Sequence, residues 1–232
     1  MRDFHVFIEQ QGEQIYVGKI TGSGSEEAVF SYAQEYLDNP SSCPISIHRP
    51  LQAQNFSPEE TRFFFEGLLS EGFTRKCVAG WIHADEYDYL TILAALGREC
   101  LGAIQIIEDG MDVPKAGYQK LTKEDVCRLA KEGALEAAEL VTKAHLSLIG
   151  ASGKVGLYYK IDTNEWYLPI GAAPSTHIVK QSHVRLDGIV TNEQLCLRTA
   201  KNLGIDVPDS FVINVGTGKD EEVLFATHRY IF

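Results

Sequence analysis

The sequence predicts a mixed α/β (α+β) fold made of two units. The first observation is a β-rich opening, with His5–Ile8 and Ile15–Ile20 separated by the turn-prone Gln11-Gly12-Glu13. The second is a group of helix signals: Ser57-Pro58-Glu59-Glu60 offers an N-cap, a proline at the first helical position and a capping-box glutamate. The third is the stretch Glu108-Asp109-Gly110-Met111-Asp112-Val113-Pro114-Lys115-Ala116-Gly117, acidic and then rich in chain breakers, where the composition changes. The predicted units are residues 1–110 and 111–232.

In the first unit, Gly22-Ser23-Gly24-Ser25 interrupts the strands before Ala28–Tyr32 resumes them, and the alternation of Pro44-Ile45-Ser46-Ile47 predicts a further strand. Behind Ser57, Phe63, Phe64, Phe65, Leu68 and Leu69 recur at helical spacing, with Gly72 as the stop. A second helix is predicted from near Asp85 through Leu90, Leu93 and Leu96 to Gly97, a suitable C′ residue. The run Leu101–Ile107 returns to strand composition.

In the second unit, Thr122-Lys123-Glu124-Asp125 opens a helix, and helical character continues over Ala134–Lys143. Two strands follow around the glycine-bearing loop of Ser147–Tyr159, then Trp166–Pro169, and then Thr176–Lys180. A helix leads on from Ile189-Val190-Thr191-Asn192-Glu193, with Leu195, Thr199, Ala200 and Leu203 expected on its inner side and Gly204 as its stop. Phe211–Val215 and Val223–Thr227 predict a hairpin around Gly216-Thr217-Gly218.

Composition limits the function. Carboxylates outnumber basic residues 32 to 21, a net charge of −11, which argues against a chain that binds nucleic acid by itself. No apolar run reaches the length of a membrane helix, and Met1–Val6 lacks the design of a signal peptide, so the cytoplasm is the expected compartment. The five cysteines form no CxxC pair and the seven histidines no HxxxH or HExxH spacing, so no metal is assigned.

The loop Gly150-Ala151-Ser152-Gly153-Lys154 is too short for a Walker A motif. Taken alone it reads as a tight β-turn whose Ser152-Gly153 satisfies a positive φ rather than as a phosphate loop. Its surroundings add a second reading. A glycine loop between strands, a strand ending in Lys180, a helix bearing Glu193 and then two strands is the order of parts in a protein-kinase N-lobe. There the lysine binds the α/β-phosphates and the helix glutamate orients it.

The chain closely resembles the HipA family of toxin serine/threonine kinases. In the first unit the resemblance rests on Val17–Ile20, Tyr32–Leu37, Pro44–Ile47, Phe64–Leu69 and Leu96–Ala103. In the second it rests on Ser147–Ala151, Lys154, Pro174–Lys180, Asn192-Glu193 and Ala200–Pro208. It implies a HipA-like N-terminal cap subdomain followed by a kinase N-lobe-like β-sheet with helices that ends at the hinge.

It also implies roles by position. Ile149, Gly150, Ala151, Ser152, Gly153 and Lys154 resemble the nucleotide-binding loop, and Ser147 the serine whose autophosphorylation ejects that loop. Lys180 matches the phosphate-binding lysine. His228, Arg229 and Tyr230 fall where the family contacts adenine, with His228 in place of the glutamate common there. The implied cofactor is ATP with Mg²⁺, whose ligands and catalytic aspartate are expected in a C-terminal lobe absent from this sequence. The implied partners are a HipB-like DNA-binding antitoxin and a protein substrate in translation, such as an aminoacyl-tRNA synthetase, with persistence as the associated biology.

Without those catalytic groups, the chain alone is expected not to transfer phosphate. Three readings stay open: the front part of a HipA-type kinase, a split system with a separate C-lobe chain, and a non-catalytic or antitoxin-like interaction module.

Overall fold

In the computed structural model the described residues are 2–10, 13–97, 104–111, 115–132, 139–140, 154–171, 173–182 and 187–229. They form two antiparallel sheets, and the chain passes from one to the other between Glu108 and Gly117. The fold is mixed α/β, as the patterning predicts.

The first sheet contains β1 (Arg2–Gln10), β2 (Glu13–Gly22), β3 (Val29–Tyr32) and β4 (Ile104–Glu108), in the order β3-β2-β1-β4. The opening hairpin therefore lies inside the sheet, with a register shift between Val6 and Phe7. Four helices complete this part: α1 (Gln34–Asp38), α2 (Pro58–Glu66), α3 (Gly72–Trp81) and α4 (Tyr89–Leu96). The capping box of α2 forms as its sequence requires: the Glu60 N–H donates to Ser57 Oγ at 3.2 Å, and the Ser57 N–H to the Glu60 carboxylate at 2.8 Å. Phe4, Val6, Phe30, Phe65, Leu90, Leu93 and Ile106 are fully or almost fully buried between sheet and helices.

Three expectations change here. Pro44–Ile47 is not a strand: only an isolated bridge joins Ser46 to Arg49, and Ile47 is 88% exposed. Gly72 starts α3 instead of ending the chain's helical run. The helix placed near Asp85 begins at Tyr89, where the Asp88 carboxylate caps the Thr91 N–H. Gly97 does follow α4, but at φ −71°; it is required because a Cβ there would meet Leu93 O at 2.6 Å and Ile106 O at 2.8 Å.

The second sheet contains β5 (Gly117–Lys120), β6 (Lys154–Lys160), β7 (Glu165–Ile170), β8 (His177–Gln181), β9 (Ser210–Asn214) and β10 (Val223–His228), in the order β5-β7-β6-β8-β10-β9. Helix α5 (Lys123–Glu132) precedes the loop region, and α6 (Ile189–Asn202) lies against β8, β9 and β10. Val190 on α6 packs with Val223 and Phe225. The helix ends at Gly204, whose φ of +79° suits glycine. Its inner side differs from expectation: Val190 and Gln194 are buried, whereas Leu195 and Leu203 are 62% and 74% exposed.

The opposite face of this sheet, with Val155, Leu157, Leu168, Val179 and Ala226, joins one buried apolar cluster that also includes the core of the first sheet. The strand expected before the glycine loop and the helix expected over residues 134–143 lie outside the described residues, apart from residues 139–140.

Candidate functional site

Strand register builds the site. Lys154 on β6 pairs with Lys180 on β8, and Lys180 pairs with Phe225 on β10. Directly paired residues of an antiparallel ladder point to the same face, so both lysines share the face on which α6 lies. The Glu193 carboxylate on α6 accepts a charge-assisted hydrogen bond from Lys180 Nζ at 2.5 Å, with the two side chains 25% and 31% exposed. The Lys180 ammonium also lies 5.5 Å from the centroid of the Phe225 ring. Two contacts, the Glu193 carboxylate and the Phe225 ring, therefore restrict where this charge can sit.

Among the described residues, no carboxylate is bonded to Lys154. Burial first, and then the like charge of Lys180, hold its amine below the ordinary lysine range; Glu193 and Glu71, the latter at the start of α3, partly offset this. The face thus carries two ammonium groups with one bonded carboxylate between them. Such a face attracts anions with several oxygens.

The end of β10 is held differently. The Arg229 N–H donates to Thr176 O at 2.8 Å, its guanidinium donates to the buried Ser175 hydroxyl at 2.7 Å, and the His228 N–H donates to Asp209 O at 2.8 Å. His228 pairs with His177 and so points away from the lysine face. The two imidazoles meet edge to face at 5.4 Å. His177 packs among Tyr159, Trp166 and Phe211 and contacts the Thr176 hydroxyl through Nδ1 at 2.9 Å. Burial, and then the charge of His228, push its pKa down.

Of the residues singled out from sequence, Lys154, Lys180 and Glu193 come together, while His228 and Arg229 lie at the strand end with the His228 imidazole on the other face. Ser147, Ile149, Gly150, Ala151, Ser152, Gly153 and Tyr230 lie outside the described residues. Sequence reasoning missed Phe225, whose place beside Lys180 depends on β8–β10 register. Among the described residues no group of three or more histidine, cysteine or acidic side chains could hold a metal ion. No helix among them is long and apolar enough to cross a membrane.

A mixed α/β chain with this two-sheet order and a lysine–glutamate pair between strand and helix matches a known class. The HipA N-terminal domain model matches residues 11–107, and the HipA-like C-terminal domain model matches residues 146–230. The chain belongs to the HipA family. A putative kinase, Y4mE of Sinorhizobium fredii, is 32% identical over 82% of this chain and 47% of its own length. The serine/threonine-protein kinase toxin HipA of Shewanella oneidensis is 26% identical over 76% of this chain and 40% of its own length. The chain thus spans about half the length of these relatives or less. In the solved complex of Shewanella HipA with HipB and operator DNA, one chain has the same fold, with TM-score 0.73 and 19% identity. That match covers 97% of this chain and 50% of the solved one.

Proposed function

We propose that residues 111–232 form a kinase N-lobe-like unit that binds ATP and that residues 1–110 form the cap subdomain preceding it. Lys180 takes the α/β-phosphates, Glu193 orients it, and Lys154 adds a second cation at the edge of the phosphates. The observation that carries this reading is the 2.5 Å Lys180–Glu193 pair on one sheet face with Lys154 directly across the strand pair. A polyphosphate supplies the negative charge that these two ammonium groups lack. The strand end at His228 and Arg229 would meet the base through main-chain groups, because the imidazole is turned to the other face.

Mg²⁺ bound to the phosphates would supply further charge neutralisation; no ligand for it is assigned among the described residues. Ser147 is proposed as a phosphorylation switch, because a phosphate introduced next to a phosphate site repels nucleotide.

The whole protein is proposed to be a cytoplasmic serine/threonine kinase toxin that modifies a protein of translation, such as an aminoacyl-tRNA synthetase. A HipB-like antitoxin is its proposed partner, supported by the presence of HipB with HipA in the Shewanella complex.

Calorimetry tests the nucleotide reading. Mg-ATP titrated into the protein should release heat of binding that Lys180→Ala removes or reduces at least tenfold. Equal binding by a folded Lys180→Ala protein would exclude Lys180 as the phosphate ligand.

A further inference from the structure

We infer that Gln194, Ser210 and Thr227 form a buried seat for one water molecule, and that this seat ties the helix carrying Glu193 to the strand that ends at His228. Gln194 is a glutamine on the inner side of α6, 6% exposed, among the apolar residues that seat the helix. Its amide nitrogen donates to the Ser210 hydroxyl on β9 at 3.2 Å, while its carbonyl oxygen is buried and has no hydrogen-bond partner among the described residues. Ser210 pairs with Thr227 on β10. Paired residues share a face and hold their Cβ atoms about 5 Å apart. The Thr227 hydroxyl is buried there too, also without a partner among the described residues.

The placement has a second, independent support. Phe225, two residues before Thr227 and hence on the same face, packs against Val190 of α6. Two unpaired polar atoms and one hydroxyl with spare bonding capacity thus converge under one helix.

An unpaired buried polar atom is costly, and natural interiors satisfy such atoms with protein groups or with water. Exchanging the oxygen and nitrogen of the Gln194 amide does not help: Ser210 would bond the oxygen and leave the nitrogen unpaired. One water can donate to the Gln194 carbonyl, accept from Thr227 and use the free capacity of Ser210, which meets the two to four partners an internal water needs.

Gln194 directly follows Glu193, and Thr227 directly precedes His228. The seat is therefore a link between the helix that holds Lys180 and the strand end proposed to meet the base. That functional consequence rests on the nucleotide reading; the water seat itself does not.

The test is a double-mutant cycle on the full chain, read by urea unfolding. Gln194→Met and Thr227→Val should each lower the folding equilibrium constant about tenfold, since each breaks the shared network. The double variant should lose about tenfold in all, not a hundredfold, because the second change removes a group already orphaned. Thr227→Ser, which keeps the hydroxyl, should keep the coupling. In the unaltered protein the Gln194 side-chain amide protons should show a magnetisation-transfer contact to a bound water.

Losses that multiply, a Thr227→Val protein as stable as the original, or a Gln194 amide without a water contact would each overturn the inference. If Gln194→Met does not fold, the water contact in the unaltered protein decides alone. A coupled cycle in a protein that does not bind Mg-ATP would leave the seat standing and remove the nucleotide reading.

Discussion

Replacing Glu193 by glutamine removes one charge and keeps nearly the same shape. In the folded protein the carboxylate lies 2.5 Å from Lys180 Nζ, with the two side chains one quarter to one third exposed. Exposed pairs of this kind contribute about 0.2–1 kcal/mol. An unscreened estimate at an effective dielectric of 20 gives about 4 kcal/mol at 4 Å, which is an upper bound. Partial burial puts this pair between the two, and the glutamine carbonyl still accepts a weaker hydrogen bond. The charge loss also leaves Lys154 and Lys180 facing each other without their shared acid, which adds to the cost. The expected loss is about 1–2 kcal/mol, or a fall in melting temperature of about 2–8 °C for a chain of this size.

Scanning calorimetry at low ionic strength measures this directly. Added phosphate should recover part of the loss, because an anion can then bridge the two lysines. Under the nucleotide reading, Mg-ATP affinity should fall about tenfold as Lys180 loses its fixed position. A Glu193→Gln protein with unchanged melting temperature and no added response to phosphate would refute the claim that Glu193 holds the lysine.

Two further outcomes follow from the geometry. The folded-state pKa of His177 is pushed below its ordinary 6.5, so the unfolded chain binds more protons than the folded one as pH falls past that value. His177 therefore lets stability rise with pH across the interval from its folded-state pKa to about 6.5, and His177→Leu should flatten that part of a urea-unfolding series. The titratable groups around it are His228 on β10, Tyr159 on β6 and, beyond His228, Asp209; an unchanged slope would exclude His177 as its source. At the end of α4, Gly97→Ala places a methyl group against two main-chain carbonyls at 2.6 and 2.8 Å. The expected cost is about 2–4 kcal/mol. A variant that melts within about 1 °C of the unaltered protein would contradict this close approach.

Sequence and structure agree where the determinant is local. The capping box of α2 is specified by four consecutive residues, and it forms. The order of loop, Lys180 and Glu193 is likewise visible along the chain, and the two side chains meet. Disagreement arises where the decision belongs to the tertiary structure. Helix α3 opens at Gly72 behind Glu71 with no side-chain cap, so no local signal announces it. The alternation over Pro44–Ile47 does not pair into the sheet; instead the Ile45 N–H donates to the Tyr32 hydroxyl at 3.1 Å.

For α6, leucines marked the expected inner side, yet the sheet selects Val190 and Gln194, because Ser210 offers Gln194 a partner. Nor can linear spacing show that Lys154, Lys180 and Phe225 share a face. That depends on the register of β6, β8 and β10, which is settled only when the strands pair.

The central claim is that the lysine face grips phosphates. Comparing the affinities of ATP, ADP and adenosine for the same protein, each with Mg²⁺, tests it most directly. Affinity should fall with each loss of phosphate, and adenosine should bind at least a hundredfold more weakly than ATP, a difference of about 2.7 kcal/mol or more. Equal affinities for ATP and adenosine would contradict it.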